Sequence, residues 1–377
     1  MNDFCKDPYL QLPLPDSMTV MWETETPCRS VVEVYRAQRP HCGEAVYRPQ
    51  GEAKVFTGEP GTVHRVTLTG LESGADYVYR VLPDERWPQT PFFESDFRTA
   101  PLPGSPVSFC VTSETGGAKS APRLRQGLVE NIAGERPDFI FFPGDMVLDG
   151  RRARDWDEYL FTPFRELICH TPFYHCAGNH EEDSDLMRRY LATPEQGYYA
   201  FDYGCAHFVA LDTPKLSTHN PTPDGDLVIE PNEPLKPGQA QYDFLARDLA
   251  ASQAAWKVVF MHYPPYFSGT WEAPSLRPLC RLFERYGVDL VICSHAIVYE
   301  RSHPITADKL DFNHGVRYIV AGGAGAKPSW FDHKKAWHTA RSAATPHYLH
   351  ISMTPTHMEF QAVNDQGQLF DTMTLEK

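Results

Sequence analysis

Five apolar runs in the last three-quarters of the chain each end in a short polar cluster: SETGG at 113–117, GDMVLDG at 144–150, GNHEE at 178–182, FMHYP at 260–264 and CSHAIVYER at 293–301. Such runs lack the polar alternation of a half-exposed strand, so they predict strands buried on both faces. Between VSFCVTS at 107–113 and DFIFFPGD at 138–145, Leu124, Leu128 and Ile132 recur at helical spacing. PFYHCAGNH at 172–180, a helix over 239–252, WKVVFMHYPP at 256–265, a helix over 274–287 and VDLVICSH at 288–295 continue the rhythm. A chain of this pattern is confined to a layered α/β domain, whose strand ends are where ligands collect.

The first 99 residues follow a different period. TVMWET at 19–24, SVVEVY at 30–35, TVHRVTLTGL at 62–71 and DYVYRVL at 76–82 alternate apolar and polar positions, with turn residues between them. They predict a fibronectin- or immunoglobulin-like β-sandwich. Leu71, Gly74 and Tyr77 fit a corner at which a tyrosine at a strand entrance bonds back to the preceding loop. TAPLPGSP at 99–106 has linker composition, which divides the chain into a sandwich over 1–99 and an α/β domain over 106–377. HYLHISMT, HMEFQAVND and QLFDTMTLE return to short strands near the C-terminus and are expected to finish a sheet of the second domain.

Charge narrows the partners. A formal net charge of -14 argues against nucleic acid, which demands clustered Lys and Arg, so any phosphate here must be held by metal. The N-terminus carries no apolar core of signal-peptide length, and nowhere do eighteen apolar residues run together. The expectation is a cytoplasmic protein without a membrane partner. The nine cysteines show no CxxC spacing; Cys110, Cys176, Cys205 and Cys293 lie in apolar stretches and read as reduced, buried thiols. A disulfide between Cys28 and Cys42 stays open.

Asp145 follows Gly144 at a strand end, where the chain can turn sharply and project a carboxylate over the sheet edge. Asn179, His180 and Glu181 put an amide, an imidazole and an acid into one turn, and His262 and His295 each end a further strand. Either histidine alone reads as a structural residue. Four donors of suitable type on four successive strand ends read as a metal site.

The ordered set of GD, GNHE, the strand-end His262 and SHAIVYER resembles the calcineurin-like metallophosphoesterases and, more narrowly, the purple acid phosphatases. PYLQLPLPDSMTVMWET, HRVTLTGLESGADYVYRV, YIVAGGAGA and HYLHISM match that layout too. The resemblance implies a four-layer core, two mixed sheets flanked by helices, with a two-metal centre at the strand ends acting on small-molecule phosphate esters. It implies one metal site formed by Asp145, Asn179, His262 and His295, with His180 serving the transition state. The other site would take an aspartate where this chain has Glu114, the shared Asp145, a tyrosine where it has Leu148 and a histidine where it has Ile297. Two oxygen donors remain there. The centre is therefore expected to be mononuclear or asymmetric, with Zn, Mn or Fe firmly held once, a second ion weak or absent, and no tyrosinate colour. His175, His207 and His303 read as surface residues or as supports of the ligands, the alternative being that a rearranged loop brings one of them to the gap. Asp149, Glu181 and Tyr299 are candidates to support the ligands by hydrogen bonds, and 214–237 and 266–274 are the loops expected to wall the pocket. The alternative is a catalytically impaired relative that binds a phosphorylated ligand or a partner protein.

Overall fold

The computed structural model describes the whole chain except residues 1–3, 39–47, 83–91, 117–121, 222–226, 234 and 329–334. Cys42 and Gly117 therefore lie outside the described residues.

Two sheets face each other through the apolar runs. One contains the parallel strands Val107–Val111, Phe139–Phe142 and Phe173–His175, with His347–Met353, His357–Asn364 and Leu369–Glu376 added antiparallel at one edge. The other is ordered Thr339–Ala343, Tyr299–Ser302, Arg317–Ala321, Leu290–Cys293, Trp256–Phe260, Ala206–Ala210, Tyr199–Tyr203. Period-2 geometry splits each run between two cores. Phe139 and Phe141 enter the space between the sheets, while Ile140 and Phe142 face the helices Pro122–Glu135 and Thr162–Ile168. On the second sheet Leu290 and Ile292 point inward, and Val291 and Cys293 point toward the helices Ala240–Ala251 and Arg277–Arg285. Phe141 and Phe260 stack at 3.6 Å across the inner layer. Each fully buried ring of this kind contributes about 2–3 kcal/mol of apolar transfer. The result is helix, sheet, sheet, helix, with the C-terminal ends of the parallel strands Val107–Val111, Phe139–Phe142, Phe173–His175, Trp256–Phe260 and Leu290–Cys293 leading to one rim.

The N-terminal strands depart from the sequence reading in length. The segments at 19–24 and 30–35 belong to one strand, Ser17–Gln38, whose register slips between Glu23 and Cys28. Pro27 lies in that slip, where its missing N–H costs no ladder bond. The first half pairs with Phe4–Leu14 and the second with Asp76–Val81, and both halves supply one core around Val20, Trp22, Val32 and Val34. The corner expected at Tyr77 is present: the Glu72 N–H donates to the Tyr77 hydroxyl at 2.8 Å.

These strands also extend the first sheet. Gln11 pairs in parallel with Phe173, the Tyr9 hydroxyl donates to the Tyr190 carbonyl at 2.8 Å, and the Tyr174 hydroxyl donates to the Pro13 carbonyl at 2.6 Å. Buried Lys6 bridges Glu23 and Asp157. The helical run over 153–168 was not anticipated, because Arg and Asp residues interrupt its apolar period. Cys110, Cys176, Cys205 and Cys293 are buried free thiols. No helix among the described residues is long and apolar enough to cross a membrane.

His207 does not approach the strand ends. Its Nδ1 lies 2.7 Å from Asp202 and its Nε2 2.7 Å from Asp248, so both nitrogens donate and the ring is an imidazolium. Burial lowers its pKa, but the two carboxylates outweigh burial and raise it above the ordinary value. A raised folded-state pKa gives stability that is complete below about pH 6.5 and lost as pH rises through the folded value. Wild type should therefore exceed His207→Gln in urea stability by roughly 1 kcal/mol more at pH 6 than at pH 9, a figure already reduced for the exposure of Asp202.

Candidate metal centre

Three residues on the rim hold backbone angles that side chains usually avoid: Glu114 at φ +61°, Asp145 at +52° and His295 at +69°. Each such conformation costs about 1 kcal/mol or more and persists only where surrounding bonds impose it. Gly144, at φ +98°, supplies the turn before Asp145, and a Cβ there would lie 2.6 Å from His262 Nδ1. A Cβ on Gly178 would meet Asp145 Oδ1 at 2.2 Å. The two glycines let three strand ends approach one another closely.

The approach gathers four donors. Ligand-capable atoms of Asp145, His262 and His295 lie within 4.8 Å of one another. Asn179 Oδ1 is 3.0 Å from His262 Nε2, which is 3.2 Å from His295 Nδ1 and 3.3 Å from Asp145 Oδ2. The other side of the His262 ring is spoken for: Nδ1–H donates to the Pro143 carbonyl at 3.0 Å and to Ser294 Oγ at 2.8 Å. That assignment turns Nε2 toward the cluster.

Glu181 braces the turn from beneath. Its carboxylate accepts the N–H groups of Asp145 at 2.9 Å, Met146 at 2.7 Å and Gly178 at 2.6 Å, and it is fully buried. Asp145 Oδ1 accepts the His180 N–H at 3.0 Å. The His180 ring donates from Nδ1 to the Leu148 carbonyl at 2.7 Å and leaves Nε2 at the mouth, 3.9 Å from Asp145 Oδ2, with its side chain 40% exposed.

Electrostatics fit a cation. Burial alone would raise the Asp145 carboxyl, yet His262, His180 and His295 hold it well below the usual carboxylate range. Burial and the neighbouring His262 drive His295 well below an ordinary imidazole, toward the neutral state that a ligand must have. One ionised carboxylate, one amide oxygen and two imidazole nitrogens form a donor set suited to a divalent ion; Asp145 raises the pKa of His262 against its burial, so without an ion that ring carries the positive charge a metal would replace.

Other named residues sit elsewhere. The Glu114 carboxylate accepts the His295 N–H at 2.6 Å and is absent from the 4.8 Å group among the described residues. Burial and Asp145 raise its pKa. Leu148 and Ile297 present no donor atom. Asp149 turns outward to Arg151 at 2.9 Å and Arg152 at 3.1 Å, away from the centre. Tyr299 is buried between the sheets, where its hydroxyl donates to Asp371. His175 donates or accepts at Thr193 Oγ1, 2.6 Å away, with its pKa lowered to about 3 by burial, and His303 packs edge-on against Phe312. None of the three histidines fills the gap beside Asp145. A cavity of about 680 Å³ lined by Ser108, Asp138 and Arg98 lies at the opposite strand ends and is separate from the cluster.

Sequence reasoning missed His219. It lies on Ser217–Pro221, paired with Leu227–Pro231, and its Nε2 is 3.2 Å from His295 Nε2. No strand-end signature marks it; only the fold of loop 214–237 brings it in.

Comparison with known proteins agrees with this architecture. The calcineurin-like phosphoesterase family matches residues 109–299, and the purple acid phosphatase N-terminal domain matches residues 6–95. Human acid phosphatase type 7 is 28% identical over 95% of this chain and 87% of its own length. A probable inactive purple acid phosphatase 1 of Arabidopsis thaliana is 21% identical over 85% of this chain and 58% of its own length. The purple acid phosphatase PPD1 of yellow lupin seeds shares the fold, with a TM-score of 0.76 at 19% identity over 98% of this chain and 74% of that one. With the strand-end geometry and the two matched regions taken together, the chain belongs to the calcineurin-like phosphoesterases and carries the N-terminal domain of purple acid phosphatases.

Proposed function

We propose that this protein hydrolyses small phosphate esters at an asymmetric metal centre in which Asp145, Asn179, His262 and His295 hold one ion, Zn, Mn or Fe. The convergence of the other three side chains within 3.3 Å of His262 Nε2 carries the reading. The division into a sandwich over 1–99 and a catalytic unit over 106–377 is part of the same proposal. The chemistry supplied by a divalent ion in this cage is Lewis acidity, which polarises a phosphoryl oxygen and acidifies water.

The chain's own groups do the rest. Asp145, Asn179 and the two imidazoles would hold the ion, and Glu181 holds the turn that aims Asp145. His180, anchored at the Leu148 carbonyl, presents Nε2 at the mouth. As an imidazolium it donates from Nε2 to the departing alkoxide, which lowers the barrier to P–O cleavage. Glu114 orients His295 through its backbone N–H rather than adding a ligand atom.

A second reading, a phosphate-binding relative without turnover, is favoured by Leu148 and Ile297, which leave the neighbouring site short of donors. The test is metal per chain together with hydrolysis of an aryl phosphate in the presence of Zn, Mn or Fe. We expect one tightly held ion and measurable turnover, and His180→Ala should retain that ion while lowering kcat by about 10²-fold. A loaded wild-type protein without hydrolysis establishes the binding reading. Two tight ions per chain overturn the asymmetric centre.

A further inference from the structure

We infer that His219 is a positioning residue of the metal centre: it accepts the outward N–H of His295 and so fixes which nitrogen of that ring faces the ion. The inference rests on the metal-centre reading proposed above.

An imidazole that ligates through one nitrogen must place the proton on the other, and the acceptor for that proton sets both tautomer and ring angle. For His262 the acceptors are the Pro143 carbonyl and Ser294 Oγ. His295 has the opposite polarity. Its Nδ1 faces the cluster, 3.2 Å from His262 Nε2, so Nε2 must carry the proton outward. Among the described residues the partner of that nitrogen is His219 Nε2, at 3.2 Å. His219 then accepts at Nε2 and keeps its own proton on Nδ1.

The acceptor is held in place from all sides. The His219 ring lies 5.3 Å from Tyr263, 5.8 Å from Trp271 and 4.9 Å from His295, and Tyr263 and Trp271 also pack on His295. His219 pairs with Ile229, which is buried against the outer helical core and whose carbonyl accepts Ser275 Oγ–H at 3.0 Å. A slip of one residue in this hairpin would turn the imidazole to the other face, so the pinned register is what delivers the acceptor. The choice of an imidazole also matters electrostatically. A carboxylate at this place would add a second negative charge beside Asp145, whereas a neutral acceptor holds the tautomer and leaves the loaded cage attractive to an anionic substrate.

The test is Zn affinity by competition with a chelator, and the visible absorption of the Co-substituted protein, for His219→Phe, His219→Gln and His262→Ala. His219→Phe keeps an aromatic ring of similar size and removes the acceptor; His219→Gln restores an acceptor oxygen. We expect His219→Phe to weaken Zn binding about 10–100-fold and to shift the Co bands. His219→Gln should recover most of the affinity. Equal affinity and spectra for wild type and His219→Phe, with the ion lost in His262→Ala, overturn the role of His219 while leaving the centre standing. Gln no better than Phe also overturns it, because the acceptor is then not what matters. An ion retained in His262→Ala removes the centre itself and the inference with it. Thermal unfolding of each variant without metal shows that the comparisons are made on folded protein.

Discussion

His262→Ala is expected to empty the centre and to lower kcat on an aryl phosphate by at least about 10³-fold, since one side chain is lost that both ligates and holds the cluster together. Nε2 of this ring lies within 3.3 Å of Asn179, His295 and Asp145, so it is the common neighbour of the other three donors. Its removal has a second effect. Asp145 is 2% exposed, and its low pKa depends chiefly on His262 working against burial. Without that imidazole the buried carboxylate is left without its main compensating charge, a change that costs about 3–5 kcal/mol when no other group responds. The sign of the pH dependence follows. In wild type the depressed pKa gives stability that is present above about pH 4 and lost only as pH falls through the folded value. In the variant that contribution is gone, and metal-free protein should unfold in less urea at pH 7. Elemental analysis, steady-state turnover and urea melts check the three parts; a variant that keeps one ion and wild-type turnover contradicts the assignment.

Glu181→Ala should be the most destabilising change of a residue that need not touch metal at all. Three buried N–H groups, those of Asp145, Met146 and Gly178, share its two oxygens. Each orphaned donor costs about 1–3 kcal/mol, so a loss of roughly 4 kcal/mol is expected even where water enters the space. Glu181→Gln distinguishes bonding from packing. Asp145 and Gly178 both donate to Oε2, so an amide oxygen placed there keeps two of the three bonds, and about half the stability should return. Urea unfolding of metal-free protein measures both. Equal stability of the alanine variant and wild type would mean that the turn is held by something other than this carboxylate.

The parts of the molecule most readable from sequence were those with local physical signatures. Runs such as FIFFP are too apolar to face water on either side, and they do form inner strands. Tyr77 with Gly74 carries its corner within a few residues. Asp145, Asn179, His262 and His295 could be picked out because each ends such a strand, and the fold brings their side chains together. Legibility failed where partners are distant in sequence. Nothing near residues 24–29 says that two short alternating segments form one bent strand; that depends on pairing with Phe4–Leu14 on one half and Asp76–Val81 on the other. Asp149 makes structural ion pairs with Arg151 and Arg152, the two cations that stand beside it in the sequence. Tyr299 is a candidate support for the ligands by sequence, but its hydroxyl finds Asp371 on the facing sheet and its ring fills the core. His219 carries no signature because its role depends on hairpin register.

The parallel pairing of Gln11 with Phe173 makes the N-terminal strands structural neighbours of the strand that leads into the turn holding Asn179 and His180. The Tyr9 and Tyr174 hydroxyls, donating to the Tyr190 and Pro13 carbonyls, tie the two parts together on either side of that pairing. Heat that loosens the N-terminal strands should also strip an edge from the first sheet, and a single cooperative melting transition is the expected outcome.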